Sequence, residues 1–218
     1  MTASADWAGF NWEFARDLFA RAHHQAAQAQ RYAAITGPGQ DRSVSASERR
    51  CVASAVASVA GAVEEWVTSA LLATRVPLPG ADPLTWHGAL SRWRRLPAIA
   101  WSLGRTHDFA LTPAQEASLV YLGAWHHALT YADPKAETWL HDRYVSLGEM
   151  DGRHNITRMI SANLAGAVVT QAAGLFDWAH HVTGLPAPGS PYERDRQERR
   201  QNKHQPAAGA SDGLIRQP

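Results

Sequence analysis

At 218 residues the chain is long enough for one domain with a full core and short for two. Its 45% hydrophobic and 19% charged residues are those of a globular protein, and a net charge of +1 excludes an obligatory basic surface for nucleic acid while leaving a local patch open. The single cysteine, Cys51, excludes a disulfide framework and any multi-cysteine zinc site, and its apolar helical setting reads as buried and inert.

The stretch from Met1 to Trp12 lacks a basic start followed by an apolar run, so it does not read as a signal peptide. No uninterrupted run of about 18 apolar residues is present, and no membrane span is expected. The expected compartment is the cytoplasm.

The pattern is helical nearly throughout. Trp7, Phe10, Phe14 and Leu18 recur at three- and four-residue steps and predict a first helix with these residues inward, ending at Gly37-Pro38-Gly39. Ser45 with Glu48 three residues later fits a capping box for the next helix. There Val52, Val56, Val59, Val63, Trp66 and Ala70 are spaced 4, 3, 4, 3, 4, a seam suited to the central helix of a bundle.

After a Pro/Gly loop over 76–84, a third helix is predicted from Thr85 to about Ser102. Trp86, Leu90, Trp93 and Trp101 face inward, and Pro97 kinks or splits it. Arg92, Arg94 and Arg95 read as a solvated face. Thr112-Pro113 opens a fourth helix, whose stripe Leu119, Leu122, His126 and Leu129 points His126 inward and which Asp133-Pro134 closes.

A short helix over Glu137–Leu147 and a turn over 148–152 precede a final helix starting at Asn155 or Thr157. Its apolar face is Ile160, Leu164, Ala167, Leu175, Trp178 and Val182. The whole reads as an all-α bundle of about five to six helices. It forms one domain over 5–185, with a mostly disordered tail over 186–218, where few apolar residues remain to offset ordering entropy.

Three adjacent histidine pairs occur: His23-His24, His126-His127 and His180-His181. Adjacent helical residues point about 100° apart, so at most one of each pair serves a given site. No Glu-x-x-His or helical His-x-x-x-His turn accompanies them, and no metal or cofactor site is expected. A phosphate-cradling glycine loop and a nucleophile elbow are also missing. The chemistry-bearing segment is the end of the fourth helix. His127 and Tyr131, four apart, share a face, and an imidazole serves as acid or base near neutral pH while a phenol donates to a phosphate oxygen. The alternative is a satisfied histidine in a helix interior or at a dimer seam.

Three segments resemble a bacterial branch of the HEPN superfamily of helical ribonucleases, over roughly Ser45 to Pro134. Val59-Ala60-Gly61-Ala62-Val63-Glu64-Glu65-Trp66-Val67 is similar to its central helix, Leu90-Ser91-Arg92-Trp93 to its Leu-x-Lys-Trp element, and Leu122 to Pro134 to the segment that carries its Arg-x4–6-His motif. The resemblance implies a homodimer with that motif at the seam, the arginine holding the scissile phosphate and the histidine cleaving RNA without metal. The arginine position falls on His126, the neighbouring asparagine on His127, the histidine on Tyr131, and the central-helix glutamate on Glu64. Histidine does not reproduce a permanently charged bidentate clamp, and a phenol with a pKa near 10 is a poor base at neutral pH.

The implied function is therefore a catalytically degenerate module that binds RNA, a nucleotide or a co-encoded partner protein, in a toxin–antitoxin or phage-defence setting. The alternatives are an active metal-independent ribonuclease with a divergent His/Tyr site, and a non-enzymatic helical scaffold or metal binder.

Overall fold

The structure, a computed structural model, describes residues 12–35, 44–79, 87–105 and 110–189. Among them the chain forms seven α-helices and no strand: α1 (Glu13–Ile35), α2 (Ala46–Ala73), α3 (Gly88–Trp93), α4 (Leu96–Ser102), α5 (Pro113–Tyr131), α6 (Pro134–Ser146) and α7 (Ala162–Thr183). A 3-10 turn, Ile156–Met159, precedes α7, which starts later than the sequence predicts. The third predicted helix is split as its proline demands: α3 ends at Trp93, and α4 restarts at Leu96 with Pro97 in its first turn, where a missing N–H costs nothing. Trp7, Phe10, Gly37-Pro38-Gly39 and Trp86 lie outside the described residues.

The α2 seam is buried as its spacing predicts. Val52, Val56, Val59, Val63, Trp66 and Ala70 are all inaccessible, and α1, α5 and α7 pack round them. This surrounds with protein a helix that is by length and composition apolar enough to cross a membrane. Helix α1 differs from expectation. Its core face is Ala15, Phe19, Ala22, Ala26 and Ala29, while Phe14 is 57% exposed. Small residues win that face because α1 lies close along α2; a Cβ on Gly61 would sit 3.2 Å from Leu18 Cδ1. Cys51 is half-buried against the core.

The centre of the bundle is aromatic. Trp66 and Trp93 have ring centroids 5.5 Å apart, and each lies 6.3 Å from Phe176 of α7. Both indoles are buried and both N–H groups are satisfied: Trp93 Nε1 donates to Val63 O at 3.1 Å and Trp66 Nε1 to Pro186 O at 2.8 Å. The second bond carries the packed chain past the end of α7. Pro186, Ala187 and Pro188, read from composition as the start of the tail, are buried against the core, because α7 ends at Gly184 and the chain folds back over Trp66. Residues 190–218 lie outside the described set.

Gly184 caps α7 at φ +71°, and Arg105 covers it, with Nη1 donating to His181 O at 3.2 Å. A Cβ there would lie 2.1 Å from Arg105 Nη2. Two further inward assignments are corrected. Trp101 is 77% exposed, because the break before α4 turns its last residues outward, and Ala167 of α7 is exposed while Ala165 and Val168 are buried.

Candidate functional site

Thr112 starts α5 with a full capping box: its hydroxyl accepts from Gln115 N and the Gln115 amide oxygen accepts from Thr112 N at 2.9 Å. The buried stripe is then Leu119, Leu122, Trp125 and Ala128. The larger apolar Trp125 takes the inward direction, so His126 is half-buried at the edge of the stripe instead of within it. The helix ends at Ala132, a non-glycine residue in the left-handed region at φ 48°. Asp133 then caps α6, its Oδ1 accepting from Lys135 N at 3.0 Å.

This corner gathers the sequence-predicted residues. Tyr131 is 62% exposed, and its ring sits edge-on to both histidines, 5.7 Å from His126 and 5.2 Å from His127. His126 and His127 are 6.1 Å apart and nearly perpendicular. Asp133 serves twice, because its Oδ2 accepts from His127 Nδ1 at 3.3 Å. A carboxylate only accepts, which places the hydrogen on Nδ1. Partial burial works to raise the Asp133 carboxyl, but the Lys135 N–H and His127 outweigh it, and the group is held below its ordinary value.

Glu64 of α2 joins from the neighbouring helix. It pairs with the Arg92 guanidinium of α3, which also reaches Thr68 Oγ1 at 3.4 Å. Burial lowers the His126 pKa, the adjacent His127 lowers it further, and the Glu64 carboxylate works against both. The charged form of His126 is therefore disfavoured. Arg92 was read from sequence as part of a solvated face. Its neighbour Trp93 points into the core, which turns Arg92 along the exposed edge of α2; that adjacency was the available signal. Asp133 was read only as a helix break, although a residue six beyond His127 across a tight corner is within reach of it.

The other histidine pairs do not join this site. His23 packs edge-on to Phe19 at 4.7 Å, and His180 Nδ1 donates to Leu185 O at 2.7 Å. Among the described residues no three His, Cys, Asp or Glu side chains converge in a metal-holding group.

No family model, curated protein or solved structure matches the chain.

Proposed function

We propose that the chain is a HEPN-like module that binds single-stranded RNA or a nucleotide at the α5–α6 corner, with a degenerate catalytic motif and a second copy of the chain docked along α5. The observation that carries this reading is Tyr131, an exposed ring braced edge-on by two histidines at the end of a helix. Such a ring is a platform on which a base stacks, and stacking of this kind contributes about 1–3 kcal/mol per base. The degenerate character is supported by Arg92, the guanidinium at Glu64, which is engaged by a carboxylate and so is not presented as a bare phosphate clamp.

A second reading, an active metal-independent ribonuclease, is favoured by one feature, the His127–Asp133 pair. A carboxylate on Nδ1 orients an imidazole for acid–base work, and His126 and the Tyr131 phenol stand beside it as possible phosphate contacts.

One experiment serves both readings. A labelled single-stranded RNA is titrated with the protein in excess chelator, followed by anisotropy and then run on a denaturing gel. Tyr131→Ala weakens binding by about tenfold or more, with the RNA intact, if the module binds only. Cleavage by the wild type that disappears in His126→Ala/His127→Ala/Tyr131→Ala establishes the ribonuclease. Wild-type protein that neither binds nor cleaves overturns both.

A further inference from the structure

A cleft of about 1030 Å³ opens between α3, α5 and α6, and none of His126, His127, Tyr131 or Glu64 lines it. Its walls carry the rings of Tyr121, Trp139 and Tyr144. The Tyr121 and Tyr144 hydroxyls are in direct hydrogen-bonding contact.

Two phenols in contact share one of their two hydrogens, and the other needs an acceptor elsewhere. Trp125 packs against Tyr144. This indole is fully buried, its ring centroid lies 6.2 Å from that of Tyr144, and its Nε1 is the one buried side-chain polar atom among the described residues that meets no acceptor. Burial and the Tyr121 contact raise the Tyr144 pKa. The Tyr144 hydroxyl therefore stays protonated. Both phenols line the cleft and Tyr121 is the more exposed of the two, so the hydrogen left over from their contact is available to a ligand there.

The charged groups of the cleft select for no net charge. Arg94 and Glu116 neutralise each other through two bonds of 2.8 and 2.9 Å, and the remaining pair, Arg143 and Glu149, are of opposite sign. Flat aromatic walls favour a flat ring, and the volume matches the upper range of small-molecule sites.

We propose that this cleft is a binding site for an uncharged planar heteroaromatic molecule that places a carbonyl or ring-nitrogen acceptor on the Tyr121 hydroxyl. The proposal is independent of the reading of the α5–α6 corner. Two sources share this chemistry, nucleobases and other bicyclic lactams.

Calorimetric titration of the full chain with isoquinolin-1-one, hypoxanthine, benzoate and indole tests it. Saturable binding is expected for one or both of the first two, with benzoate and indole at least tenfold weaker, and the preference between the first two identifies the source. Tyr121→Phe, which keeps the ring, weakens the better probe by about tenfold. Ala117→Trp, at an exposed position on the cleft wall, abolishes binding while the helical circular dichroism stays unchanged. The proposal is overturned if neither lactam saturates at millimolar concentration. It is equally overturned if benzoate or indole binds as well, or if both variants bind like the wild type.

Discussion

His126 is disfavoured in its charged form by its position on α5, where burial and the adjacent His127 outweigh the attraction of Glu64 on α2. Its folded pKa lies below its unfolded value of about 6.5, so the unfolded chain binds the proton more readily. The stabilisation is fully present above about pH 6.5 and is lost as pH falls through the folded value. His126→Gln, which carries no proton-linked charge, should show a smaller fall in Tm between pH 7.5 and 5.5 than the wild type. Equal falls would show that His126 is no better solvated in the unfolded chain. Asp133 has the same sign but a lower window: its folded carboxyl is depressed, so its stabilisation is present above about pH 4 and lost only below that. The two contributions are thus separable along one pH series.

Glu48 shows how an element is completed from outside itself. Ser161 makes no side-chain cap at the start of α7; the fully buried Glu48 of α2 reaches over and accepts from Ala162 N at 3.0 Å. A carboxylate also complements the positive end of the helix. Glu48→Ala should cost about 2–3 kcal/mol, the range for a charge-assisted bond lost from a buried site, measured by urea unfolding. A loss below about 0.5 kcal/mol would show that the α7 terminus is satisfied by other means.

This is also where sequence and structure part company. Spacing alone locates Ser45 and Glu48 at the head of α2, and the Ser45 hydroxyl does accept from Glu48 N at 3.1 Å. The destination of the carboxylate depends on a residue 114 positions away, which no local pattern encodes. The same limit explains α1 and α5. Periodicity finds both helices, but which of two adjacent stripes faces inward is decided by the partner. Close packing on α2 selects alanines over Phe14, and indole volume selects Trp125 over His126. The candidate site was legible as a cluster, His126, His127 and Tyr131, because four residues make one helical turn. Its partners Arg92 and Asp133 were not, because tertiary packing and a corner bring them there.

At the scale of the molecule, the chain closes on itself at Trp66. Leu185 and Ala187 are buried beside the indole that bonds Pro186 O, so the segment after α7 belongs to the core although its proline content reads as a linker. Leu185→Ala should cost about 3 kcal/mol, the usual loss for a large-to-small core substitution, with a lower unfolding midpoint and an unchanged denaturant slope. An effect under about 0.5 kcal/mol would place this crossing outside the cooperative unit. The α5–α6 corner has a different sensitivity. Ala132 alone stands between the last helical residue of α5 and the cap of α6, and that cap is the group on His127. One inserted residue there would change the path of the chain between the two helices and carry Asp133 away from the imidazole. The corner is in effect a length gauge: it accommodates exchange of its side chains more readily than any change in their number.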